Sequence, residues 1–572
     1  MQFNPMLATD GYKVGHEAQY AKDTQLIFSN FTARSSARAV TLPKYIKDEV
    51  MLAGLSGFVQ EVLVEDFNKN FFSKPLDEVL EKYQRRMDSY LGAGVVSTEH
   101  IAHLHVLGKL PIMIVGVPEG TLVPTKVPML VMSSLDENFA WVTNYLETVL
   151  SSHIWQVCTN ATTAFQYRCL LEDYAVKTGS PVDFVLWQGH DFSYRGMPGT
   201  EAAARSGAGH LYSFLGTDTL PALDYLDDYY SGTKTYTGGS VPASEHSVAS
   251  TNILNLEEKY KDAANPKLEA EKEFFRRYFS EIYPSGVASY VSDTYDFWGV
   301  LTEVATANKD VILNRKPNAL GLAKAVFRPD SGDPVDIICG RDFAELTETY
   351  TERDAYDDGI NVLKYPDGTY WEVEHKAGGW YNDTFYIGAM KVKQLQYAEV
   401  VGAVETLWDI FGGTITDKGY KLLNERVGLI YGDSITLERA EEIMQCLAAK
   451  GFASGNIVLG IGSFTYQYNT RDTHGFAVKC TYAIIDDKEI QVYKDPKTDD
   501  GTKKSAKGLL NVFRNSEGKL EMHDQLDIEE WNKNVEKNGT AFVSYFYYGN
   551  AVEADIVDIR KIVNDQVIAK IG

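Results

Sequence analysis

At 572 residues the chain is long enough for a large core and more than one domain, and 44% hydrophobic against 23% charged residues is ordinary for a globular protein. Its 79 acidic against 55 basic residues leave a net charge of −24, which argues against the basic face of a nucleic-acid binder. Five scattered cysteines without a Cys-x-x-Cys read as reduced thiols, not as a zinc site or disulfide frame, and no apolar run nears the ~18 residues of a membrane span. Asp10, Lys13 and Glu17 interrupt the first twenty residues where a signal peptide would be apolar, so the expectation is a cytoplasmic protein with no membrane partner.

Residues 1–40 are polar and aromatic, with Tyr12 and Arg34 standing out. Apolar spacing predicts helices over 51–64 and 76–91. Short β-rich pieces follow over 105–133, punctuated by Pro111, Pro118, Pro124 and Pro128. His103 and His105 alternate as in a strand, and with His100 they read as structural. Ser134 and Glu137 form a capping-box pattern, after which Phe139, Val142, Leu146, Val149 and Leu150 give a helix one apolar face.

From 155 to 465 the pattern changes to strand–turn–helix units. The run 182–187 is a predicted buried strand with His190 and Arg195 just past its end, and 212–215 is a second one leading to Asp218. The runs 287–291, 325–327, 427–431 and 457–459 end in Asp293, in Arg328 and Asp330, in Asp433, and in Gly460 to Ser463. A polar residue after one strand reads equally well as a helix cap, as Asp218 does alone. A series of them at the same end of successive strands describes an α/β barrel whose loops share one mouth. An insertion at about 339–420 carries a predicted hairpin over 362–371 with a Pro-Asp-Gly turn; it reads as surface or dimer decoration, with an effector site as the other reading. Strands return at 476–485, 489–493, 509–513 and 540–548. Lys494, Lys503, Lys504 and Lys507 form the one dense basic region, either a solvated loop or one facing phosphate.

Carboxylates at Asp293, Asp330 and Asp433 suit ribose hydroxyls and Mg²⁺, and the forked donors of Arg195 and Arg328 suit diphosphate oxygens. Taken in order, ATDGYK (8–13), HDFSYRG (190–196), LGTDT (215–219), VPASEHS (241–247), VSDTYD (291–296), FRPDSGDP (327–334), YGDSIT (431–436), the glycine turn at 460–462 and TRD (470–472) resemble the nicotinamide phosphoribosyltransferases, type II phosphoribosyltransferases related to the nicotinate enzymes. The resemblance implies an irregular TIM-like α/β barrel over 155–470 with an outer α/β domain built from 1–154 and 471–572. It implies transfer of phosphoribosyl from phosphoribosyl pyrophosphate to nicotinamide in NAD salvage. It also implies coupling to ATP hydrolysis through a phosphohistidine, a need for Mg²⁺, and a homodimer with shared active sites.

By the same resemblance His246, preceded by Glu245, accepts the phosphoryl group, and Asp293 and Asp330 serve the metal region. Asp330 and Asp433 take the ribose, Arg195 and Arg328 the diphosphate, and backbone amides at Gly462 and Ser463 a phosphate. Phe192 and Tyr12 sandwich the pyridine, Asp218 reads its amide, and Arg34, Arg471, Lys479 and Lys494 meet phosphate from outside the barrel. The family's more glycine-rich run is Gly-Ile-Gly-Ser-Phe here, a departure at Ser463. A nicotinate phosphoribosyltransferase, alike but for its base reader, is the alternative.

Overall fold

Strand runs that end in polar residues do assemble side by side in the computed structural model, which describes residues 4–381, 384–432, 434–494 and 506–572. The chain is mixed α/β and divides into two units, one of Met1–Cys169, Ser193–Gly238 and Ser463–Gly572, the other of Leu170–Phe192 and Gly239–Gly462.

The second unit is built on parallel strands β1 (Gly189–Asp191), β2 (Val287–Val291), β3 (Lys324–Arg328), β4 (Val427–Tyr431) and β5 (Ile457–Ile461), in the order β1-β5-β4-β3-β2. Gly189 pairs with Leu459, Leu429 with both Ile457 and Phe327, and Val291 with Arg328, while Ala243 adds one parallel bridge to Ser289. Because every strand is parallel, all five C-terminal ends lie on one edge, which is where the polar residues fall. The two faces follow from the period of two. Phe327 turns to the helix Pro266–Arg277, where its ring stacks on Phe275 at 5.6 Å, and Val326 and Arg328 therefore face the other way. Gly428 on β4 makes room there, since a Cβ would lie 2.8 Å from Cδ of Lys324.

The insertion forms its own four-stranded sheet of Ala344–Glu345, Val362–Lys364, Tyr370–Tyr381 and Thr384–Leu395. The predicted hairpin is present: Val362 pairs with Glu372, and Gly368 at φ +82° closes the turn. The Lys391 ammonium lies 3.7 Å from the centroid of the Tyr365 ring and 4.8 Å from that of Trp371.

The first unit carries an antiparallel sheet in the order Lys488–Gln491, Ala477–Ile485, Thr24–Thr32, Pro128–Ser134, Ile112–Gly116, Val543–Tyr547, Asn550–Ala551. Val142, Leu146, Val149 and Leu150 enter its core from the helix Trp141–Thr178 as their spacing predicts, while Phe139 joins them from the 3-10 turn Glu137–Phe139 ahead of that helix. Glu119 is fully buried there, accepting from the Ser56 amide and the Tyr212 hydroxyl, each at 2.8 Å. All five cysteines are free thiols. Among the described residues no helix is long and apolar enough to cross a membrane.

Four local expectations are corrected. Residues 182–187 form a 3-10 turn (Val182–Phe184) and a short helix (Val185–Gln188) after Pro181, with Val182 exposed; the strand is the three residues that follow. Residues 212–215 are turn and loop ahead of the two-residue strand Gly216–Thr217. His100, His103 and His105 lie on the helix Glu99–Leu107, whose buried residues His100, Ile101 and Leu104 have helical spacing. Asp136, not Ser134, makes the cap, accepting from the Asn138 amide ahead of the long helix.

Burial pushes the Glu119 carboxyl up to about 7, against the lowering effect of its hydrogen bonds. A raised carboxyl stabilises the fold fully below its ordinary value of 4.5, and that contribution is lost as pH rises through about 7. Glu119→Gln should therefore flatten the fall in melting temperature between about pH 5 and 7.5. Glu271, buried and held by the Tyr290 hydroxyl at 3.0 Å, is also raised to about 7 and leaves a residual slope of the same sign. An unchanged slope in Glu119→Gln would refute the assignment.

Candidate active site

On the C-terminal edge of the parallel sheet one carboxylate connects two strand ends. Asp293, two residues beyond β2, accepts from the Asp330 amide at 2.9 Å and the Ser331 hydroxyl at 2.6 Å, both on Oδ2. Its Oδ1 is buried with no hydrogen-bond partner among the described residues. The preceding Ser292 binds Arg328 twice, by its amide to the Arg328 carbonyl at 2.9 Å and by its hydroxyl from the Arg328 amide at 3.2 Å. The Arg328 side chain then donates to the Ser244 carbonyl at 2.6 Å, and its Nη1 lies 3.6 Å from Asp330 Oδ2.

His246 opens the helix His246–Glu257, with Glu245 as N-cap. Its Nε2 is 3.7 Å from Asp293 Oδ1 and 3.8 Å from Asp330 Oδ2, and Nδ1 is 3.3 Å from the Thr294 hydroxyl. About half of the imidazole is exposed, while Asp293 is almost wholly buried. The Glu245 carboxylate accepts from the Ser247 hydroxyl. Tyr431, at the end of β4, donates to the Gly332 carbonyl at 2.8 Å; burial, then Asp293 and Asp330, hold its phenol above the usual range. Gly432 follows, where a Cβ would lie 2.4 Å from Asp330 Oδ1 and 3.2 Å from Arg328 Nη1. Asp433 lies outside the described residues. Phe192, after β1, is half-buried with its ring 4.6 Å from that of His190, and its amide donates to the Ile461 carbonyl at 2.9 Å, next to buried Gly462.

The first unit holds the other predicted residues. ATDGYK docks on one face of the long helix: Lys13 is buried and donates to Glu147 and to the Asn144 carbonyl, each at 2.7 Å, and Asp10 accepts from Thr148 at 2.7 Å. That docking leaves Tyr12 66% exposed, its hydroxyl on Asp10 at 3.3 Å. Arg34 is fixed through Nε on the Gly475 carbonyl at 2.6 Å. Lys479 sits opposite Asn30 in the antiparallel sheet. Burial, then Arg34 and Lys494, then Arg471, hold its ammonium below the usual range, with Glu147 opposing. Arg34, Lys494 and Arg471 thus all act on the charge of Lys479. Arg195 is exposed, and Ser463 packs on its neighbour Gly196, where a Cβ would lie 2.1 Å from the Ser463 hydroxyl. Asp218 is exposed; the cap of the helix Leu220–Tyr229 is Thr219, which makes no side-chain capping bond. Lys503 and Lys504 lie outside the described residues.

Reasoning from residue types missed Ser331, Thr294, Tyr431 and Lys13. Each lies inside a quoted motif, within two residues of a carboxylate or aromatic residue that was singled out.

A model described as the nicotinate phosphoribosyltransferase (NAPRTase) family matches residues 187–530. The chain belongs to this family. Over 517 residues, 90% of each chain, it is 48% identical to nicotinamide phosphoribosyltransferase of Acinetobacter baylyi. It is 30% identical over 513 residues to the protein of that name from Mycoplasma genitalium, covering 88% of this chain and 94% of the relative. The crystal structure of human nicotinic acid phosphoribosyltransferase aligns with a TM-score of 0.48 and 12% identity over 98% of this chain and 94% of that chain, too distant for any argument about the site.

Gly432 supplies a test of the cluster. Gly432→Ala drives a methyl group into the Asp330 carboxylate, which can swing aside without disturbing the core. The expected result is a melting temperature within about 3 °C of the parent and phosphoribosyl transfer lowered on the order of tenfold or more. Full activity would show that the position of Asp330 is immaterial.

Proposed function

We propose that the chain is a nicotinamide phosphoribosyltransferase, which transfers phosphoribosyl from 5-phosphoribosyl 1-pyrophosphate to nicotinamide and gives nicotinamide mononucleotide and pyrophosphate in NAD salvage. The observation that carries this reading is the 48% identity, across 90% of the chain, to a nicotinamide phosphoribosyltransferase. The parallel sheet is read as part of an irregular TIM-like barrel over 155–470, with 1–154 and 471–572 as the outer α/β domain; polar strand ends gathered on one edge support it.

The reaction replaces pyrophosphate at C1 of the ribose through a transition state of oxocarbenium character, so the protein's task is positioning and charge stabilisation. In this reading Asp330 and Asp433 hold the ribose hydroxyls, Arg195 and Arg328 the diphosphate oxygens, and amides at Gly462 and Ser463 a phosphate. Phe192 and Tyr12 enclose the pyridine. Asp293 and Asp330 fit Mg²⁺: Asp293 Oδ1 is buried without a hydrogen-bond partner among the described residues, and this ion takes one or two carboxylates together with phosphates and water. Bound there, it would neutralise charge on the departing pyrophosphate.

ATP is the proposed co-substrate. Two carboxylates beside Nε2 of His246 favour a proton on that nitrogen, leaving the Nδ1 lone pair to attack the γ-phosphorus as the bond to ADP breaks. The Arg34, Arg471, Lys479 and Lys494 cluster supports a phosphate site. We read it, with Tyr12, as serving the active site of a second copy in a homodimer in the cytoplasm.

Base choice tests the function. An ionised Asp218 accepts from the amide of nicotinamide, whereas nicotinate would set a second carboxylate beside it. At ~4 Å like charges repel by about 4 kcal/mol at an effective dielectric near 20. Nicotinamide should be strongly preferred in competition with nicotinate, and Asp218→Asn should narrow or reverse the preference. Equal use of both bases by the unmodified protein would favour the nicotinate reading. For the coupling step, labelled ATP should leave an acid-labile phosphate on the protein. His246→Ala should abolish the label and the ATP stimulation while a slow ATP-independent transfer persists; a label that survives this substitution places the phosphoryl group elsewhere.

A further inference from the structure

The C-terminal helix Ile556–Ile571 is held by ordinary means along most of its length. Ile556, Ile559, Val563 and Val567 are buried, Gln566 accepts from the Leu122 amide at 2.8 Å and donates to the Gly120 carbonyl at 2.6 Å, and Lys570 pairs with Glu49. Arg560 is different. Its guanidinium donates to three backbone carbonyls, through Nε to Leu211 at 2.9 Å, through Nη1 to Tyr236 at 3.0 Å, and through Nη2 to Thr237. Burial alone accounts for the lowering of this group to about 10.

The three carbonyls come from two segments. Leu211 begins the stretch that runs through Leu215 to Gly216–Thr217 and Asp218. Tyr236 and Thr237 begin the stretch that runs on to Ser244, Glu245 and His246. The segments also touch directly, for a Cβ on Gly238 would lie 2.8 Å from the Leu215 carbonyl oxygen and 2.9 Å from Leu211 Cδ2. A backbone contact that close needs glycine, and it brings carbonyl dipoles together that a single planar cation can satisfy. Lysine, a point charge without the fork, cannot reach all three.

We propose that Arg560 is a positioning residue for base recognition: its fork locks 211–215 onto 236–238 and thereby sets where the Asp218 carboxylate stands. The inference rests on the reading of Asp218 as the group that meets the base. It assigns a role in substrate choice to a residue that lies 342 positions from Asp218 in the chain.

The test compares Arg560→Ala and Arg560→Lys with Lys570→Met, which breaks the ion pair of the same helix. Arg560→Ala should raise KM for nicotinamide by about tenfold while kcat changes by less than about threefold. Millimolar methylguanidinium should bring that KM back toward the parent value, and Arg560→Lys should restore part of it. Lys570→Met should lower the melting temperature without moving KM. Should the alanine variant fail to fold, Arg560→Lys carries the comparison, with KM raised severalfold. An unchanged KM in the folded Arg560 variants, or the same rise in Lys570→Met, overturns the proposal. Asp218→Asn measured alongside separates the two readings. Unaltered base preference there overturns Asp218 as the reader whatever Arg560 does, and an altered preference with an unmoved KM in the Arg560 variants overturns the clamp alone.

Discussion

The geometry of the sheet edge depends on a single carboxylate with two different oxygens. Asp293 spends Oδ2 on the Asp330 amide and the Ser331 hydroxyl, and with the two bonds between Ser292 and Arg328 this ties the end of β2 to the end of β3. The tie aims Arg328 at the Ser244 carbonyl, two residues before His246. Oδ1 is left buried, without a hydrogen-bond partner among the described residues, 3.7 Å from the imidazole. Groups held in this way need not reorganise when charge develops between them. The same economy gives Asp293 two functions: asparagine can keep the acceptor for Asp330 and Ser331 while removing only the charge, whereas alanine removes both.

An acidic chain that handles polyanions must concentrate its cations. Lys479 shows what this costs, since burial and three neighbouring cations, Arg34, Lys494 and Arg471, all disfavour its charge. Arg34 is spread no further because its guanidinium is tied to the Gly475 carbonyl, and His474, which supplies the carbonyl for the Arg34 amide, is buried and lowered to about 4. A neutral imidazole there adds no further repulsion. The arrangement holds like charges close together.

Docking of the N-terminal motif follows a different logic. Lys13 and Glu147 form a buried ion pair, and breaking such a pair from one side costs on the order of 3–5 kcal/mol. With Asp10 on Thr148 and His16 on Asn144, the motif uses three residues of one helical face as an anchor. The conspicuous aromatic residue between them, Tyr12, is thereby left facing solvent.

Where apolar runs were long and β-branched, the sequence alone located the strands: 287–291 and 427–431 match to the residue. Residues 182–187 misled because the apolar run precedes a strand of only Gly189–Asp191, too short and polar to announce itself. The histidines misled because two of them at i, i+2 imitate a strand, while burial at 100, 101 and 104 follows a helix. Residue types at strand ends pointed to Asp293, Asp330 and Arg328, whereas His246 and the cations Arg34, Arg471, Lys479 and Lys494 came only from the motif resemblance. Which strand end would bind which was decided by sheet order, because parallel neighbours need not be consecutive in the chain. Least legible of all were the bonds to backbone carbonyls, Arg328 on Ser244 and Arg560 on Leu211, Tyr236 and Thr237. Every residue carries the same carbonyl, so only the folded path of the chain determines which ones an arginine meets.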